Sequence, residues 1–178
     1  MHFARARAPG VLVPVEPQQQ NLSDAAPFKD KDFTIIPLAD FTITARVLSR
    51  ADYSYDPVSS ISPTDLAMGW ERMSDSAVLA KLDISQSGRW YTYRWGAEGP
   101  PIPRDEIVRS SANMHMLPAD DNVRAALRTV RPGDVVHIEG ELIEAHGANG
   151  GIWRSSMTRD DSGDGACEVV YVRRLVVM

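Results

Sequence analysis

The most reactive side chain in this sequence is Cys167, its one cysteine, and the histidines that could serve it are His115, His137 and His146. A thiol attacks only as thiolate, so it needs an imidazole within hydrogen-bond reach and a cause for a lowered pKa. Cys167 beside Glu168, with His115 as first choice of base, would make a thiol-dependent hydrolase. No nucleophile-elbow or papain-like signature surrounds the cysteine. It opens a β-branched run in period two with Val169 and Tyr171, which favours a buried structural cysteine.

The loop from Arg159 to Gly165 (RDDSGDG) is the densest polar cluster. Asp160, Ser162 and Asp164, followed by Gly165, match the opening spacing of a calcium loop, in which alternating oxygens converge on one cation. The twelfth position is Tyr171 instead of a bidentate glutamate. Asp, Ser and Gly are also what tight turns use, so a turn is favoured and no metal is expected. Arg154, Ser155, Ser156 and Arg159 could bind an anion, since arginine matches carboxylate and phosphate bidentately. Along a strand, half of them would simply face water. Met114, His115 and Met116 are ligand types that suit copper(I), but neighbours in a strand point to opposite faces and cannot ligate together.

A different chemistry is offered by Arg89, Trp90, Tyr91, Tyr93, Arg94 and Trp95. Aromatics interleaved with arginine on an open barrel face stack bases or sugars. Tyr91, Tyr93 and Trp95 share one face, and packing inward as core is the commoner fate of such a row.

Composition narrows these options. Among 178 residues, 43% are hydrophobic and 24% charged, ordinary values for a folded soluble domain large enough for its own core. A net charge of −5 argues against a generic nucleic-acid binder, which shows a basic excess. One cysteine excludes an intrachain disulfide and, with four histidines, a cysteine-rich zinc site. There is no apolar run of about 18 residues and no signal-peptide core. No cofactor motif stands out, and none is expected.

The elements that must position these residues can be read in outline. Residues 1–31, with four prolines and a glutamine run, read as an extended Pro/Gln-rich tether, and 32–178 as one globular domain. The clearest strand runs from about Val135 to Ala145, with Val136, Ile138, Gly140 and Leu142 toward the core. Gly140 in mid-strand marks a bulge or sharp coil. Strands are also expected at Phe33–Ile36, Phe41–Leu48, Leu82–Ser87, Arg89–Trp95, Asp105–Arg109, Ala112–Leu117, Trp153–Thr158 and Cys167–Val177. A helical turn is expected near Thr64–Trp70, a helix capped by Ser74, and the best helix at Asp120–Val130, where Val123, Ala126, Leu127 and Val130 make one apolar stripe. The fold class is therefore α+β and β-rich, a small OB-like or other partly open β-barrel with two helices. The run GDVVHIEGEL resembles a strand common in OB-folds.

The segments PLADFTITARVLSRADY, SPTDLAMGWERMSD, ISQSGRWYTYRW, SANMHMLPADD and SSMTRDDSGDGACE together resemble an uncharacterised family of bacterial proteins, across roughly residues 33 to 177. Its members have one N-terminal membrane helix followed by a globular envelope domain. The resemblance implies an envelope location, with cytoplasm as the alternative, a tether behind a membrane anchor that this chain lacks, and partners among envelope or membrane proteins. It implies no activity. The expectation is a non-enzymatic binding or assembly module whose surface joins Arg89–Trp95 to the region from Ser155 to Asp164. A thiol hydrolase is the alternative and single-stranded nucleic-acid binding a weaker one.

Overall fold

A computed structural model describes residues 3–163 and 165–178. Alternating apolar residues and β-branched runs produce ten strands: β1 (Gln18–Asn21), β2 (Phe28–Asp30), β3 (Phe33–Asp52), β4 (Thr64–Gly69), β5 (Leu82–Ser87), β6 (Trp90–Trp95), β7 (Ser111–Pro118), β8 (Val135–Gly147), β9 (Ile152–Arg154) and β10 (Glu168–Val177). Among the described residues three short helices accompany them, α1 (Ser76–Leu79), α2 (Arg104–Arg109) and α3 (Asp121–Thr129). The protein is β-rich α+β, built on a partly open barrel. Strand pairing runs from β3 through β4, β7, β10 and β8 and returns to β3. Among the described residues only β7 and β10 pair in parallel, over just Glu168–Val172 of β10, which leaves that seam short.

β8 is the spine. Val136, Ile138 and Leu142 enter the main core, while Ile143 and Ala145, on the opposite face, enter a second one. β3 serves the same two cores by a bulge between Pro37 and Ala39, which moves Ile35 to the outer cluster and Ala39, Phe41, Ile43 and Ala45 to the inner one. Gly140 faces a second bulge, between Val172 and Arg174 on β10. A Cβ there would lie 2.0 Å from the Tyr171 carbonyl oxygen, so the strands approach too closely for any side chain.

Asp120 caps α3 by accepting from the Val123 amide at 2.8 Å, and Val123 and Leu127 are buried against the barrel. Thr64–Gly69 is a strand and not a helical turn. All six of its residues are buried between β3 and β7, and such a strand carries no alternation. Arg104–Arg109 is a helix where a strand was expected. Asp105 and Glu106 in its first turn complement the dipole, and Asp105 pairs with Arg109 one turn on. The expected Ser74-capped helix is a 3-10 turn, Glu71–Ser74, and the single turn of α1 capped by Asp75.

Ser74 instead holds the N-terminal segment, its hydroxyl accepting from the Leu12 and Val13 amides at 3.0 Å each. Residues 3–31 are extended, as their prolines dictate, and are fastened to the domain. Val13 is buried in the main core and β1 pairs with Ala39–Thr42 of β3.

Candidate functional site

Asp65 lies opposite His115 in the β4–β7 register, Asn113 is two residues before His115, and β10 pairs Val169 with His115, so Cys167 falls on the same outer face. Strand alternation thus gathers a carboxylate, an amide, an imidazole and a thiol from three segments. Asp65 is fully buried, with the His115 Nδ1 2.9 Å from its Oδ1 and the Asn113 amide at 3.3 Å from Oδ2. The His115 ring packs on Trp153, centroids 4.7 Å apart.

The remaining charge on Asp65 is met by Arg89. This residue sits at the β5–β6 tip with φ 70, a left-handed conformation rare outside glycine, so its placement is specified by its contacts. Its Nη1 is 2.6 Å from Asp65 Oδ1 and its Nε 2.7 Å from Asp56 Oδ2, while Nη2 donates to the Ser62 carbonyl at 2.8 Å. Its guanidinium stands 3.9 Å from the centre of the Tyr53 ring. Arg89 therefore clamps the hairpin to β4 and to the 53–63 loop, and is not a free ligand-binding arginine. The paired guanidinium and the Val58 and Ser59 amides pull the Asp56 carboxyl down despite its burial.

The aromatic row faces inward. Tyr93 and Trp95 pack against Met73, Ile102 and Ile107, and the Tyr91 hydroxyl meets Ser111 at 3.2 Å, so no continuous stacking platform is presented. Trp90 remains 47% exposed and Arg94 is exposed. The expected anion patch does not assemble. Ser155 donates to the Ser156 carbonyl and accepts from the Val169 amide, Ser156 bonds Asp161, Arg154 pairs with Glu144, and Arg159 approaches Glu168. Asp160 and Ser162 are exposed loop residues and Asp164 lies outside the described residues. Among the described residues no group of three or more His, Cys, Asp or Glu could hold a metal ion.

Three clefts meet around these residues. The largest, about 590 Å³, runs between the 53–63 loop and the β8–β9 turn, lined by Phe33, Val58, Ile152, Trp153 and Arg89. A second, about 210 Å³, shares Arg89 and Trp153 with it and adds His115 and Cys167. A third, about 100 Å³, shares Cys167, Trp90 and Gly163 with the second and ends at Glu168. Through these shared walls the three lie side by side as a groove across β7 and the start of β10.

Cys167 is not poised as a nucleophile. Burial pushes its thiol up to about 11, and its one hydrogen-bond contact among the described residues is the Asn113 amide at 3.8 Å. A shift of about two units leaves on the order of 100-fold less thiolate at neutral pH than in an ordinary cysteine. Alkylation by iodoacetamide at pH 7.5 is accordingly expected to be at least about tenfold slower in the folded protein than after denaturation. An equal or faster rate in the folded state would restore the thiol enzyme.

Asp56, Asp65, Asn113 and Trp153 are not marked as site residues by the sequence, and Glu168 is marked only as the neighbour of Cys167. One signal was present, an aspartate inside the apolar run TDLAMG, which has to be paired if the run is buried. Comparison with protein-family models, curated proteins and solved structures finds no match, so the groove's own geometry is what identifies it.

Proposed function

We propose that this domain is a non-enzymatic, OB-type binding module of the bacterial cell envelope that holds an extended peptide segment of a partner protein in the groove past Trp153. Numbered along the chain, the ring strands β3, β4, β7, β8 and β10 are ordered one, two, three, five, four, with the third and fifth parallel. Helix α3 joins the third to the fourth. That connectivity is the one OB barrels use, and their ligands lie on strands two and three between flanking loops. Here those strands are β4 and β7.

The observation that carries a peptide ligand is the free edge of β9. Gly147 and Gly151, and Ile143 and Ser155, are hydrogen-bonded across the β8–β9 pair. In an antiparallel ladder the intervening Ile152 and Arg154 turn their main-chain groups outward, and among the described residues nothing bonds them. An extended chain can add to such an edge while placing apolar side chains in the cleft beside it, where Ile152 is 65% exposed. The net charge of −5 and the inward aromatic row support a peptide over a nucleic acid. The envelope location follows from the family resemblance, and fractionation of the source cells that recovers the protein in cytosol would remove it.

Selection of a displayed random dodecapeptide library against the domain tests the ligand class. Enriched peptides are expected to bind with a change in tryptophan fluorescence, and Trp153→Ala to weaken them at least about tenfold, as loss of a buried aromatic contact does. Binding of oligosaccharides or single-stranded oligonucleotides, with no enriched peptide, would overturn the proposal.

A further inference from the structure

The geometry points to the 100 Å³ cleft at the hairpin end of the groove as a recognition pocket for a primary alkylammonium group, carried by a lysine of the bound segment or by a free diamine. This deepens the peptide reading and rests on it for the first source only. The pocket is organised around Glu168. The residue is 0% exposed, and neither carboxylate oxygen accepts a well-aligned hydrogen bond. A buried carboxylate without donors is costly, and native structures retain such groups where a ligand or reaction completes them. Arg159 is close, its Nε 2.8 Å from Oε1, but that nitrogen is not in hydrogen-bonding direction and is itself left without a partner. Arg159 would balance part of a charge on Glu168 while the lone pairs stay open.

What could complete the site follows from its walls. Trp90, Tyr91 and Tyr93 line the cleft beside Glu168, and aromatic rings stabilise an adjacent cation. Asp161, from the loop, adds negative potential. The volume corresponds to roughly three waters, the bulk of an ammonium and its first two methylenes. Arg159 already occupies one side, which leaves space for a compact head with three donors and not for a second planar guanidinium. A metal ion lacks ligands here, because the described residues offer no cluster of three donors of the necessary types.

Binding has a proton signature. Burial holds the Glu168 carboxyl up to about 8, with Arg159 and its own main-chain amide lowering it and Asp161 raising it, so at pH 7 the group is mainly protonated. The other groups lining the cleft with it are the Cys167 thiol just before β10, Ser111 and Asn113 on β7, and Tyr91 on β6, all uncharged at that pH. An arriving ammonium favours the carboxylate, and the displaced proton leaves to solvent. Affinity should rise with pH until the carboxyl is ionised without ligand.

The test is calorimetric titration of the intact protein with 1,4-diaminobutane and, separately, with a lysine-bearing peptide from the library and its lysine-to-norleucine analogue. Affinity is expected to rise roughly tenfold between pH 6.5 and 8.5, with proton release detected at pH 7 by comparing two buffers of different ionisation enthalpy. Glu168→Gln should abolish both, and the exposed Arg94→Ala should change neither. The wild-type proton count keeps the test decisive if Glu168→Gln does not fold. Peptides that bind equally with norleucine, together with no diamine binding, would overturn the pocket and leave the groove standing. Diamine binding without peptide binding would establish the pocket and overturn the groove's peptide.

Discussion

Arg89→Ala is expected to lower stability by about 3–5 kcal/mol, the usual cost of removing one partner from a buried ion pair. Asp65 has no access to water, and without Arg89 the side-chain hydrogen bond left to it among the described residues is from Asn113, the His115 Nδ1 standing 2.9 Å away out of hydrogen-bonding direction. Desolvation thus outweighs the lost attraction. For a chain of this size the loss corresponds to a melting temperature lower by roughly 10 °C. The hairpin would also lose its anchor on Asp56 and the Ser62 carbonyl, so amide exchange in β5 and β6 should accelerate more than in β8. Adding Asp65→Asn to Arg89→Ala should recover part of the stability, because the stranded charge is then gone. A single variant losing under about 1 kcal/mol would mean that the clamp behaves as a surface pair.

Gly140→Ala should be comparably severe. The new Cβ would stand 2.0 Å from the Tyr171 carbonyl oxygen and 3.0 Å from its carbon, both main-chain atoms that no rotamer change can move. Relief requires separating β8 from β10, with a loss of about 4 kcal/mol or more, in the exceptional range for a point change. Gly150→Ala is the comparison. Its φ of +85 strains an alanine, but the Cβ would meet nothing, so about 1 kcal/mol is expected. Urea midpoints of the two variants measure the difference. Equal losses would show that conformation, not close approach, fixes Gly140.

Where local pattern and tertiary demand agree, the sequence was enough to place an element. The alternation of β8, the stripe and aspartate cap of α3, and the Gly88 turn between β5 and β6 are such cases. Thr64–Gly69 does not read as a strand because burial on both faces erases alternation, and α2 does not read as a helix because six residues with Ile107 as the one buried side chain have no period to detect. In the candidate site, Arg89, His115 and Cys167 are conspicuous by type. Their partners are not, since Tyr53, Asp56, Asp65 and Trp153 lie on other loops and strands, and strand pairing and loop packing bring them together. The parity of the Tyr91, Tyr93 and Trp95 row was legible, but which face met the protein was not, because parity alone does not say what a strand is packed against.

The parallel seam between β7 and β10 has a consequence for how the molecule is made. β10 is inserted between β7 and β8, both of which precede it in the chain, so the ring cannot close until residues 168–177 have been synthesised and released from the ribosome. Until then β7 and β8 each present an open edge, and the pairing that covers them spans long sequence separations, which makes closure slow. From the emergence of β7 and β8 until β10 inserts, the nascent chain is exposed to aggregation, and its yield in cells should track chaperone supply more closely than it tracks the stability of the folded domain.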